Sequence, residues 1–148
     1  MDLHSSESKP GPVTSRTVHF SNKGQSLIAT YLESFKIVAW NVDPWNKLWE
    51  GKRQSRIGHT ALSPDGRHIL IHNFRDGTDA YSIPNMFHFA VFHAPVSVSR
   101  PKQIVFASLG TLVVQGSDKG LVYISDFETA APVQTLVHTT GKVTPIPD

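Results

Sequence analysis

Eight histidines are the residues here whose chemistry first invites a site: His4, His19, His59, His68, His72, His88, His93 and His138. A metal centre needs at least three such groups converging on one point. His68 and His72 are four apart. On a strand that spacing puts them on one face but about 13 Å apart, too far for joint ligation. His59 and His68 are able to meet only if a hairpin brings them together. There is no His-Glu-x-x-His. Asp65, Asp76 and Asp79 sit in or beside turns, where Asp bonds its own backbone. Ser63 lies outside any Gly-x-Ser-x-Gly elbow and has no base at a recognisable spacing. Gly110, Gly116 and Gly120 do not form a phosphate-binding pattern leading into a helix. The expectation is no catalytic residue, no metal and no cofactor.

The elements that carry these residues come next. The 148 residues hold 10 Gly and 10 Pro and no Cys, which suits a loop-rich globular chain without disulfides. Fourteen Lys and Arg stand against twelve Asp and Glu. The only basic run, Lys52, Arg53 and Arg56, is smaller than a nucleic-acid surface normally shows. No apolar run is long enough for a transmembrane helix. No secretory leader is visible, which points to an intracellular setting. The polar starts and ends read as a flexible leader over 1–12 and a flexible tail over 139–148.

Three segments repeat. Their turn glycines, Gly24, Gly66 and Gly110, are 42 and 44 residues apart. Each follows a short apolar strand and precedes a second, at Ser26 to Tyr31, His68 to Asn73 and Thr111 to Gln115. A further turn, closed by Gly120 in the third unit, leads to a third strand: Lys36 to Trp40, Thr78 to Ile83 and Leu121 to Ser125. A weaker fourth strand is expected at Trp45 to Trp49, Asn85 to Phe89 and Val133 to Val137. "SLIAT", "HILIH" and "TLVVQ" are apolar on both faces, as strands are when sheets stack. Phe87, Phe89 and Phe92 read as one face of a strand, with Met86 and His88 on the other. The chain is expected to be all-β, with units near 17–50, 57–93 and 103–138.

Units of this period resemble WD40 propeller blades. Ser63-Pro64-Asp65-Gly66 matches the family's first turn, and Phe20 to Gly24 is a looser copy. Trp40-Asn41 stands at the Trp-Asp place, as does Asp126 behind Ser125. In the second unit Ser82 takes the Trp place. Asp76 takes the turn-Asp place, which holds Ser34 in the first unit and Lys119 in the third. The style of the second unit resembles WD40-repeat-like proteins of mushroom-forming fungi. His59, only seven residues before Gly66, is not the family's structural histidine; His138 stands nearer that position. No unit carries the complete polar network of the family, so apolar packing is expected to hold the blades.

The resemblance implies a partial propeller, three to three and a half four-stranded blades spanning 13–138, with two unsealed ends. The implied function is a non-catalytic protein-interaction scaffold, or a fragment of one. Its partner is another protein, or further blades of the same or a second chain. Trp45, Lys52, Arg53, Arg56 and Arg75 are the candidate contacts, and reversing Arg53 and Arg56 is expected to weaken binding without melting the domain. The alternatives are part of a propeller hydrolase or lyase whose active site lies partly outside the chain, or a remnant without function.

Overall fold

A computed structural model describes residues 14–96, 100, 102–137 and, as backbone, 143–145. The expected leader, His4 and His138 lie outside the described residues. The chain forms three antiparallel sheets in series. The first is β1 (Ser15–Ser21), β2 (Ser26–Tyr31), β3 (Lys36–Val42) and β4 (Trp45–Lys52). The second is β5 (Thr60–Leu62), β6 (His68–His72), β7 (Gly77–Ser82) and β8 (Phe87–His93). The third is β9 (Ile104–Ala107), β10 (Leu112–Gly116), β11 (Leu121–Asp126), β12 (Pro132–Val137) and β13 (Val143–Pro145). Each sheet runs in chain order, strand beside strand. The fold is all-β, three four-stranded propeller-like blades in an open row. The third blade gains β13 on the edge of β12, so part of the expected tail joins a sheet.

Alternation along the middle blade explains the row. Ile69 and Ile71 point one way and pack with Ile28, Ile37, Ala39 and Ile57 in a first core. Leu70 points the other way and packs with Ala61, Ala80, Phe92, Ile104 and Val113 in a second. Successive strand residues face opposite sides, so a strand apolar at every position feeds both cores. This accounts for "HILIH" without helical periodicity.

The first turns differ in kind. Gly24, Gly66 and Gly110 all have left-handed backbone, at φ +84°, +73° and +90°. In the middle blade only Gly66 is left-handed, because Pro64 holds the turn's second position. In the outer blades Asn22, Lys23, Ser108 and Leu109 are left-handed as well. "FSNKG" is thus a different turn doing the work of "SPDG".

Strand pairing also moves one equivalence. Leu27, Ile69 and Val113 each stand three residues after the turn glycine, and they pair with Trp40, Tyr81 and Ser125. Tyr81, not Ser82, therefore takes the Trp place in the second blade. The second turn of the first blade is one residue longer, which shifts the count. A bulge at Ala80/Tyr81 puts Phe87, Phe89 and Phe92 on one face despite their uneven spacing, and leaves His88 opposite Tyr81. Phe92 is buried against the third blade, and Phe89 meets Phe127 edge-on at 5.8 Å. Met86 packs on the opposite side, toward the first blade.

Candidate functional site

Two surfaces and one seam hold the chemistry of the described residues. The first surface is the outer face of the first blade. Pairing of β1 to β4 places Val18, Phe20, Leu27, Ala29, Val38 and Trp40 on it, with Trp45 and Lys47 at its border. Counting from the turn glycines, Val18 is equivalent to Thr60 and Ile104. Those two are 1% exposed, whereas Val18 is 56% exposed. Phe20 is equivalent to Leu62 and Phe106, both packed in cores, yet Phe20 is 68% exposed. These two positions, pressed against a neighbour in the other blades, are open to solvent in the first, while Ala29 and Val38 on the same face are each 5% exposed.

The second surface is the outer face of the third blade. Val105, Leu112, Val114, Val122, Ile124 and Leu136 share it by strand pairing. Val114 is equivalent to Leu70 and Ile28, each buried in a seam. Val105, equivalent to buried Ala61, is 41% exposed. Exposed apolar side chains grouped on a strand face, as Val18 and Phe20 are, mark interaction sites.

The seam between the first and second blades is polar at both ends. Arg53 follows β4 and crosses to the second blade. Its Nη2 donates to Asp79 Oδ2 at 2.6 Å, its Nε to the Tyr81 hydroxyl at 3.0 Å and its Nη1 to the Arg56 carbonyl at 2.9 Å. Asp79 Oδ1 takes an amide hydrogen of Asn73 at 3.2 Å and lies 3.4 Å from His88 Nε2. Asn73 Oδ1 in turn accepts three backbone N–H groups of the Arg75–Gly77 turn. Both charges of the pair are buried and their hydrogen-bonding groups are well used, the condition under which a buried ion pair is tolerated.

The opposite end, where β1 and β5 lie side by side, holds hydroxyls and imidazoles. Thr17 bonds Thr30 at 2.6 Å and also Thr60, and His19 Nε2 bonds Thr60 Oγ1 at 2.7 Å. Burial, with His59 nearby, holds His19 below the ordinary histidine range. Burial, with Arg16 nearby, does the same to His59. His72 is lowered chiefly by burial. These imidazoles favour the neutral state. His59 faces His72 across the hairpin through its carbonyl, which accepts the His72 N–H at 2.9 Å. The partner across this hairpin is thus His72 rather than His68. At the second seam Thr78 donates to Gln115 at 2.7 Å, and Gln115 donates to the Phe92 carbonyl at 3.2 Å. Within the third blade Lys102 and Asp118 form a second, partly exposed ion pair at 2.5 Å.

The candidate contact residues separate. Arg53, expected on the surface loop, is 7% exposed and belongs to the seam. Its reversal would break a buried pair, not only a contact. Lys52, Arg56 and Arg75 are exposed or nearly so. Arg56 lies 4.5 Å from the Phe74 ring, and Arg75 Nε is 3.9 Å from Asp76. Trp45 is half-buried at the start of β4, while Trp49 packs in the first core. Asp65 caps its turn through Ser63 and the Arg67 N–H, and Asp126 caps the next through Thr129. Those bonds hold both carboxyls below the usual carboxylate range. Sequence reasoning missed Asp79 and Asn73 as the centre of the polar seam. Their signal was only a turn Asp among turn Asps, with the charge partner 26 residues away.

A cavity of about 400 Å³ opens beside the second seam, lined by Phe89, Phe127, Gly110, Thr111, Asp126 and Glu128. Aromatic walls with two carboxylates favour an apolar or cationic group over an anion. Among the described residues no group of three or more His, Asp or Glu is arranged to hold a metal ion, and no helix is long and apolar enough to cross a membrane.

No protein family and no curated protein matches this chain by sequence. Solved structures do: 728 chains share its architecture. One is Kuenenia stuttgartiensis hydrazine synthase, at 12% identity and a TM-score of 0.69, over 93% of this chain and 39% of that one. At that identity the likeness shows the fold alone. The chain spans about two fifths of the length of that protein, whose fold it follows over nearly all of its own.

Proposed function

We propose that the chain is a blade section of a propeller, with repeats of the WD40 kind, that serves as a structural module in a larger protein assembly. The observation that carries this reading is the pair Val18 and Phe20, open to solvent at positions whose equivalents in the next two blades are covered. A middle blade covered on both faces and end blades covered on one are what a section of a ring presents. Lys52, Arg56 and Arg75, at the edge of the polar seam, are the proposed contacts for an acidic protein partner; loops on a rigid β frame are where such contacts gather. The likeness to part of an enzyme chain favours a second form of the same reading, in which the assembly is an enzyme and these blades support a site completed outside them.

The test is apolar-dye binding by the isolated chain, held dilute. Val18→Ser with Phe20→Ser is expected to cut the dye signal while the thermal midpoint holds. An unchanged signal, or a wild-type monomer that binds no dye, would overturn the reading.

A further inference from the structure

Resting on that reading, we infer the occupant of the two open faces: a second copy of this chain, joined head to tail, so that two copies close a six-bladed ring. The two open faces are not alike. The face of the first blade is the one that Ile69 and Ile71 present in the second blade and Val113 and Gln115 in the third. It is always the face turned toward the preceding blade. The face of the third blade is the one that Leu70 presents in the second and Ile28 in the first, turned toward the following blade. One end of the chain is therefore a head and the other a tail, and each is the partner type of the other.

The side chains at the seam-forming positions fit this pairing. In the second seam Ala61, Leu70 and Ala80 meet Ile104, Phe106 and Val113. Their equivalents at the open ends are Val105, Val114 and Ile124 on the tail, and Val18, Phe20 and Leu27 on the head. All six are apolar, so a head-to-tail contact continues the pattern of an existing seam at these positions, with Lys36, Lys47 and Glu50 already ion-paired beside them on the head. The charge balance differs between the two end blades. Lys36, Lys47 and Lys52 stand on the head face with Glu50 among them, whereas the third blade carries Asp118, Asp126 and Glu128 against Lys102 and Lys119. A head-to-tail contact is heterologous and closes only when the rotation returns to the start. Two sets of three blades give six, inside the four to eight that propellers use. The closed pair has two identical new seams and no open face.

The experiment is light scattering of the wild-type chain across a concentration series, beside the dye measurement. The expected mass is twice 16.4 kDa, with dye binding lost as the pair forms. Val18→Asp with Phe20→Asp spoils the head, and Val114→Asp with Ile124→Asp spoils the tail. Each variant alone is expected to stay monomeric. Mixed, they are expected to form a pair through the one remaining good seam. Should the charged variants not fold, by circular dichroism, the serine versions take their place. A tail variant that still pairs with itself overturns the inference, because that is a symmetric head-to-head contact. A wild-type monomer that keeps its dye binding at every concentration also overturns it, but leaves the blade-section reading standing. A monomer that binds no dye overturns both.

Discussion

Replacing Asp79 with Ala is the sharpest probe of how the blades hold together. The side chains of Arg53 and Asp79 are each less than a tenth exposed. Arg53 makes three hydrogen bonds, and the substitution removes the shortest, the one to a charge. The guanidinium stays behind in a site still closed to water, with two neutral acceptors and no counter-charge. Breaking a buried pair from one side costs about 3–5 kcal/mol. In a chain of this size each kcal/mol moves the thermal midpoint by about 3 °C, so the fall should be about 10–15 °C. Circular dichroism melts at one fixed protein concentration measure it. Two controls bracket the result. Glu50→Ala removes exposed pairs with Lys36 and Lys47 and should cost less than about 1 kcal/mol. Arg53→Met with Asp79→Leu removes both charges and should recover most of the loss, because apolar groups of similar volume fill such sites well. A fall for Asp79→Ala no larger than for Glu50→Ala would refute the argument, since it would mean that water reaches the pair.

Acid should weaken the fold in the histidine range. His19, His59 and His72 all sit below their ordinary value of 6.5, chiefly through burial. The folded state thus favours the neutral imidazole, and the unfolded chain binds the proton more readily. Stability from this source is full above the unfolded value and is lost as pH falls through the lower folded values. The urea midpoint should drop between pH 7 and pH 5, and a flat profile there would count against the burial of these rings. Gly77→Ala should prevent folding: φ is +146°, and an added Cβ would stand 2.1 Å from the Phe92 carbonyl oxygen. Gly24→Ala, with φ +84° and nothing within 4 Å of the added carbon, should cost only about 1–2 kcal/mol of backbone strain. Equal yields of the two variants, with equal melts, would contradict this contrast.

The repeat was readable because turn glycines and apolar strands are local signals. Gly24, Gly66 and Gly110 stand in left-handed backbone that other residues adopt at a cost, and each marks a hairpin. The equivalence of Trp40 and Tyr81 was not readable, because one extra residue in a turn changes the count and only pairing reveals it. The open faces were foreseen in outline from the number of blades, but which residues form them follows from strand phase. Arg53 was misread for a physical reason. In "KRQSR" it looks like its neighbours Lys52 and Arg56, and nothing local tells a solvated guanidinium from one that meets Asp79. The third blade's extra strand was hidden for the converse reason: "GKVTPIPD" is rich in turn residues, and β13 is a short edge strand.

Ser63-Pro64-Asp65-Gly66 has a consequence for β6. Across Ile69, Leu70 and Ile71 that strand carries no polar residue to distinguish one side from the other. Sliding it by a single residue would exchange two greasy surfaces and meet little resistance from solvation, the usual guard against such errors. The guard lies in the turn. Ser63 Oγ donates to Asp65 and accepts the His68 N–H at 3.0 Å, and Asp65 accepts the Arg67 N–H at 3.0 Å. The two Asp65 bonds fix the turn, and the Ser63–His68 bonds, side chain and backbone, tie its ends in the observed register. The turn is an alignment mark, and it stands where the strand itself cannot report a mistake.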